Sequence, residues 1–483
     1  MAREGNAPPE CRVVAQLGSL YPEWLGDRRF GETHGCRFPY VVGEMARGLS
    51  APAMVIAAGK TGLIGFYGAA GLDLDAIRTA VREIAHTSNG FPWGSNLIHT
   101  PNEPDLERAT VELYLGEGVR RVSASAFMSL TPNVVQYAYR GIHRDPNGRI
   151  VRLNHLIAKL SRPEVAAEFM APAPERIVNA LVRDGRLTSA EAEIARYAPV
   201  AEDVTAEADS GGHTDNRPLA VLLPLLQQER DRAAANLRGV PPVRVGAAGG
   251  LGTPAAVAAA FTMGAAYVLT GTINQTARES GLSEVAKGML ADAGMADVAM
   301  APCADMFELG VKVQVLRKGS LYAQRAGRLY DLYSRCYSLE DIPATIRQGI
   351  EREIFGRGLA EVEASVHDYF SERKPDELRR AQADEHHRMA LVFRWYLGMS
   401  SRWPISGDGE RKADYQIWCG PAIGAFNEWV KESFLADLSH RTVAQIGLNL
   451  LEGAAIATRA QQARLHGIDV PAALFNPRPK CLA

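Results

Sequence analysis

VRVGAAGGLGTPAAVAAAFTMGAAYVLTGTINQ, residues 243–275, is the stretch on which the fold turns. It reads as a strand (243–246) running into Ala247, Ala248, Gly249 and Gly250, then a helix (253–263). A second strand (266–269) follows, closed by Gly271 and Thr272. Thr253 suits an N-cap and Pro254 the first helical position. Two strand–glycine turns one βα unit apart make a phosphate cradle, because backbone N–H groups approach an anion only where no Cβ intrudes. In eight-stranded βα barrels such a pair follows strands seven and eight. Two ordinary βα turns of another α/β fold would look alike locally, so the number of preceding strands matters.

Working back from this stretch, strand-like runs lie at 38–42, 62–67, 93–98, 121–125, 154–160 and 204–208. Helical periodicity separates them, clearest at 73–87, where Leu74, Ile77, Val81 and Ile84 share a face. Eight strands alternating with helices predict an α/β fold, a (β/α)8 TIM barrel over 36–300. A doubly wound sheet is the alternative, but GxGxxG is missing after the first strand. More than forty residues separate strands five and six, well over a usual connection. Pro174 opens one helix there, and Thr188 to Glu191 is a capping box for another. This helical insertion, about 163–200, is a candidate lid, or else padding of the outer layer. Residues 1–35 read as a leader with at most short local structure. From about 301 the pattern changes to long helices, giving a helical C-terminal region over 301–483.

The chain has 483 residues, 47% hydrophobic and 22% charged, with net charge −2. No charge block points to nucleic acid or to a polybasic membrane anchor. No apolar run approaches a membrane span of about 20 residues. Glu4, Pro8, Pro9 and Glu10 stand where a signal peptide would be apolar. The six cysteines, Cys11, Cys36, Cys303, Cys336, Cys419 and Cys481, form no CxxC. Reduced thiols and a cytoplasmic location follow as expectations.

A βα barrel gathers the carboxyl ends of its strands on one face. That face would collect Gly43, Glu44, Met45, the 68–71 turn, Asn96, Lys159, the 210–215 loop, Gly249, Gly250, Gly271 and Thr272. The set is rich in glycine and small polar groups and poor in metal ligands. His213 with Asp209 and Asp215 could hold a divalent ion, but no second histidine is near, and no metal is expected. GxSxG is absent and Cys303 has no obvious partner, which disfavours a nucleophilic hydrolase. A phosphorylated planar cofactor fits better. Its phosphate would lie on Gly249, Gly250, Gly271 and Thr272, and Asn96 offers the donor and acceptor a pyrimidine edge needs. Lys159 would set a cation beside a reduced flavin, or could instead form a Schiff base.

Gly211, Gly212 and His213, with Gly249, Gly250, Gly271, Thr272, Glu279 and Ser280, resemble the nitronate monooxygenase group of FMN barrels and the related flavin-dependent enoyl-acyl carrier protein reductases. WGSNLIHTPNEP (93–104), the 121–128 region, ADMFELGVKVQVL (304–316), MALVFRWYLGMSSRW (389–403) and YQIWCGPAIGAFNEWV (415–430) are similar to PfaD-type enoyl reductases, trans-acting partners of polyketide and polyunsaturated fatty acid synthases. The resemblance implies FMN, NADPH or NADH as hydride donor, and reduction of enoyl thioesters on an acyl carrier protein. It implies that His213, with Lys159, is catalytic, His213 as the proton donor or the holder of a donating water. It also implies that Asn96, Lys159, Gly211, Gly212, Gly249, Gly250, Gly271 and Thr272 line FMN. His213 is followed by Thr214 and Asp215 where monooxygenases often carry Arg-Gly, which weakens the transfer of nitronate chemistry. A nitronate monooxygenase-type oxidase is the alternative, and a non-catalytic docking protein a third. The C-terminal helices would dock carrier protein, with Arg379, Arg380, Arg388 and Arg394 facing an acidic helix, or form a homodimer.

Overall fold

The computed structural model describes residues 18–101, 103–237 and 239–482. Eight parallel strands close on themselves: β1 Tyr40–Val42, β2 Ile64–Tyr67, β3 Trp93–Ile98, β4 Arg121–Ser125, β5 His155–Leu160, β6 Asp203–Glu207, β7 Arg244–Ala248 and β8 Val268–Thr270. The ring closes where Tyr40 pairs with Val268 and Val42 with Thr270. The eight predicted strands are thus the eight observed, and the (β/α)8 reading holds. Inside, Val41, Ile64, Phe66, Ile157, Tyr267 and Leu269 form a dry cluster. Gly246 leaves room for the Tyr267 ring, which a Cβ there would strike.

Three features depart from the expectations. First, residues 1–35 hold more than a leader. Helix α1, Arg28–His34, is capped by the Asp27 carboxylate and closes the foot of the barrel. Phe30 stacks on Tyr267 with centroids 4.3 Å apart. His34 Nε2 lies 2.8 Å from Asp203 Oδ2, and Arg244 grips the same carboxylate at 2.6 and 2.8 Å. Three ionisable groups shut away from water in this way are tolerable only because each is paired.

Second, the insertion between β5 and β6 is not a lid. Its helices α2 Glu175–Arg183 and α3 Ser189–Ala195 pack on the outer helix Pro132–Tyr139 and the hairpin His143–Arg144 with Ile150–Val151. The capping box forms, with Glu191 N donating to Thr188 Oγ1 and Thr188 N to Glu191 Oε2. Glu191 Oε1 also accepts from Gly141 N, on the segment that feeds into the amino end of β5. The pair therefore sits toward the foot, at the opposite end from the strand carboxyl termini.

Third, the C-terminal region is helical as expected, but a hairpin precedes its helices and the region is not separate from the barrel. Strands β9 Val298–Pro302 and β10 Lys312–Leu316 form an antiparallel hairpin, and β10 pairs with Gly212–His213. Among the region's long helices, Pro375–Ala383 and Glu385–Ser400 are parted at Asp384, which caps the second. The last helix, α4 Val443–Leu465, lies between the helices Pro254–Thr262 and Pro52–Thr61. That is the position of the eighth barrel helix. Gly447 lets it close on Leu63 and Tyr40, to which a Cβ would come within 2.9 and 3.4 Å. A boundary at residue 300 thus parts β8 from the helix that covers it, and residues between 272 and 442 form an insertion inside the barrel repeat. Among the described residues no helix is long and apolar enough to cross a membrane.

Candidate active site

The mouth is built from the loops after the strands and is roofed by the inserted segment. Lys159, on β5, points its Nζ to Glu207 Oε1 at 2.9 Å and to Glu44 Oε1 at 3.3 Å. Burial opposes its charge, but the Glu207 and Glu44 carboxylates outweigh it and raise the ammonium above an ordinary lysine. Two carboxylates around the ammonium favour a fixed cation over a Schiff-base nucleophile. Glu44 is itself buried, and neither of its carboxylate oxygens accepts an aligned hydrogen bond; the contact to Lys159 is an ion pair only. Ser123 Oγ, buried on β4, also has no partner. Unmatched buried polar atoms at a barrel mouth are what a polar ligand would complete.

The glycines divide by what surrounds them. At Gly250 (φ 72°) a Cβ would meet nothing within 4 Å, and at Gly271 only Met45 Cγ at 3.9 Å. These two face open space, as a phosphate cradle requires, with Thr272 beside them. Gly249 instead admits the Ala208–Asp209 backbone, which a Cβ would approach to 2.7 Å. Gly43 makes way for Leu269, and Gly211 for Cys419 Cα at 2.7 Å. Gly212 (φ 80°) lies under Trp418. Thr272 Oγ1 accepts from Gly420 N at 3.3 Å, so the 418–420 turn of the insertion rests on the cradle. Asn96 is buried, and its Nδ2 donates to Ser123 O at 3.0 Å and Ser125 Oγ at 2.9 Å. Its donor is committed to the barrel, leaving the carbonyl oxygen as the group free to read a ring edge.

His213 projects from the short strand joined to β10. Its Nε2 lies 3.3 Å from Asp305 Oδ2, and its side chain is 39% exposed. Burial disfavours the imidazolium, yet the Asp305 carboxylate outweighs it and lifts the His213 pKa above the usual value. Asp305 in turn is held near about 2, burial being overcome by the His213 hydrogen bond. Cys303 is buried beside them and donates its thiol to Val311 O at 3.2 Å. Burial pushes that thiol well up, so it stays protonated. One ligand atom from each of His213, Cys303 and Asp305 lies within 4.8 Å of the others. Asp209 and Asp215, the expected neighbours of His213, turn elsewhere. Asp209 accepts from Asn216 and Gln314, and Asp215 from Ser161 and Arg162.

The sequence reading missed Asp305, Glu207 and Gln314, and missed the roof at 418–420. The alternation Lys312, Val313, Gln314, Val315 is a strand signal that could have brought Asp305 to the mouth. The docking arginines also look different in place. Arg388 pairs with Glu363 and Glu385, Arg394 with Glu308 and Arg379 with Asp376, which leaves Arg380 as the one of the four without a described ion pair.

Residues 30–324 match the nitronate monooxygenase family, and residues 336–415 match the inserted helical domain of [acyl-carrier-protein] S-malonyltransferase. The enoyl reductase domain of MlnA from the macrolactin cluster of Bacillus amyloliquefaciens is 36% identical. It superposes with a TM-score of 0.87 over 92% of this chain and 100% of that one. A polyunsaturated fatty acid synthase polypeptide of Thraustochytrium sp. is 44% identical over 91% of this chain and 30% of its own length. Polyketide biosynthesis protein PksE of Bacillus subtilis is 40% identical over 90% of this chain and 56% of its own length. The chain thus spans little more than half, or less, of these curated relatives. It belongs to the nitronate monooxygenase family and, within it, to the PfaD-like group that contains these synthase proteins and the macrolactin enoyl reductase domain.

Proposed function

We propose that the chain is a trans-acting enoyl reductase, using FMN and NAD(P)H to saturate the 2,3 double bond of enoyl thioesters on the acyl carrier protein of a polyketide or polyunsaturated fatty acid synthase in the cytoplasm. The carrying observation is His213, its Nε2 3.3 Å from the Asp305 carboxylate, at the mouth of a barrel whose two open glycines, Gly250 and Gly271, lie on adjoining strand ends. The family membership supports the same reading, as does the likeness of 336–415 to a domain of an acyl-carrier-protein transferase. The flavin, when bound, supplies hydride transfer from the nicotinamide to the β-carbon of the thioester.

The rest is done by this chain. Gly250, Gly271 and Thr272 hold a phosphate. Lys159 keeps a fixed positive charge under the mouth, balanced by Glu44 and Glu207. His213 donates the proton that the α-carbon gains, and Asp305 orients the imidazole. In balance, enoyl thioester, NAD(P)H and a proton give the saturated thioester and NAD(P)+. Under anaerobic conditions NADPH should bleach the flavin band, and an enoyl thioester should restore it. A colourless protein that takes up no FMN, or oxygen uptake with alkyl nitronates in place of thioester turnover, would refute the reading.

The pH profile is a second check. A proton donor acts while protonated, so the rate should fall as pH rises through a pKa above the ordinary imidazole value of about 6.5. Asp305→Asn removes the charge that lifts it. The alkaline limb should then move to lower pH, and a limb that stays in place would deny Asp305 its role.

A further inference from the structure

Two arginines at the mouth lack partners. Arg47 stands two residues beyond Met45 on the loop after β1, with φ 57°, a left-handed conformation that costs a side-chain-bearing residue energy. Its neighbours hold it there. Arg47 N donates to Ala70 O and Gly48 N to Gly68 O, both at 2.8 Å, and its side-chain stem lies against Gly71. Its guanidinium has no hydrogen bond or ion pair to any described residue, although burial and the charge of Arg402 both disfavour its protonated form. Arg402 follows the helix Glu385–Ser400 and is exposed, and its side chain too has no described partner. The backbone brings the two segments together. Gly281 N donates to Leu49 O at 3.0 Å, and Ser283 N to Pro404 O at 3.1 Å. Residues 281–283 thus bridge the β1 loop to the Arg402 turn.

The nearby charges do not neutralise this pair. Asp305 is taken by His213. Tyr369 sits under Arg373, 4.5 Å from its ring centroid. Other cations of the roof are matched, Lys374 by Glu103 and Arg394 by Glu308. Two unmatched guanidinium groups on segments tied together through 281–283, one of them on a strained backbone, are arranged for an anion, and arginine's planar fork suits phosphate oxygens.

We propose that Arg47 and Arg402 form a second anion clamp, between the barrel mouth and the roof, that takes the 2′-phosphate of a nicotinamide dinucleotide or the phosphate of a phosphopantetheine arm. This rests on the reductase reading, in which Gly250 and Gly271 take the flavin phosphate and both remaining reactants, a nicotinamide dinucleotide and a phosphopantetheine thioester, carry phosphate of their own.

Calorimetric titration of the holoprotein with two matched pairs tests it: NADP+ against NAD+, and phosphopantetheine against pantetheine. The wild type should prefer the member with the additional phosphate of one pair by tenfold or more. Arg47→Gln with Arg402→Gln should cut that preference below threefold. Loss in the first pair assigns the clamp to the dinucleotide, and loss in the second assigns it to the acyl arm. No preference in either pair, or a preference that survives the double substitution, overturns the proposal. Arg402→Gln alone, on an exposed side chain, carries the test if Arg47→Gln does not fold. Binding needs no turnover, so a protein that keeps the phosphate preference but fails to reduce thioesters would sink the reductase reading and leave the clamp standing.

Discussion

His213→Ala should slow enoyl thioester turnover by about 10²–10⁴-fold, the usual worth of a positioned general acid. The substitution leaves Gly250, Gly271 and Thr272 intact, so the protein should still purify yellow. The loss should fall on reoxidation of the flavin by the thioester, because that half of the cycle consumes the proton. Stopped-flow measurement of each half under argon separates the two. His213→Gln restores bulk and hydrogen bonding without an acid, and should be about as slow as alanine. If both variants turn over at the wild-type rate, the α-carbon takes its proton from solvent and His213 has another task. The His213–Asp305 contact would then have no catalytic use.

Asp203→Ala should destabilise the fold by about 3–5 kcal/mol, the cost of leaving a buried cation without its partner. Asp203 is fully buried at the barrel foot between His34 and Arg244. Urea midpoints of wild type and variant measure the difference. The same triad sets acid sensitivity. Burial lowers the His34 pKa despite Asp203, so the ring stays neutral with Nε2–H donated to the carboxylate and Nδ1 bare. The unfolded chain therefore takes up that proton first, and stability should begin to fall as pH drops below about 6.5. Asp203 works at lower pH. Although burial raises it, Arg244 and His34 depress its pKa. Its contribution is complete above an unfolded carboxylate value of about 3.9 and is lost as pH falls through the lower folded one. An acid titration with no loss of stability between pH 6.5 and 4 would contradict the His34 assignment.

How far the sequence could be read followed from how local the signals were. All eight barrel strands were legible, because each is a short apolar run ending in a turn and each turn is written in neighbouring residues. The open glycine turns at Gly250 and Gly271 were legible for the same reason. What escaped depends on pairs far apart in the chain. Nothing adjacent to His213 announces Asp305, which reaches it by a hairpin of the inserted segment. Likewise Gly211 and Gly212 read as cofactor glycines, yet Gly211 makes room for the Cys419 backbone and Gly212 holds a left-handed turn at φ 80°. The helix Arg28–His34 was hidden because its purpose, stacking Phe30 on Tyr267, lies across the barrel. The helix pair at 175–195 was visible as helices, but its end of the barrel is set by the Gly141–Glu191 contact.

The helix Val443–Leu465 has a consequence for how the protein is made. Strand β8 ends at Thr270, yet the helix that covers it starts at Val443. At translation speeds of about 5–20 residues per second, roughly 10–30 s separate the two on the ribosome. Throughout that interval the seam between the first and last strands lacks its outer layer, and Tyr40 and Leu63 lack the surface that later buries them. The barrel cannot mature in the order in which its strands emerge. The roof over the cradle is synthesised within that same delay, so the seam and the active-site cover are completed together.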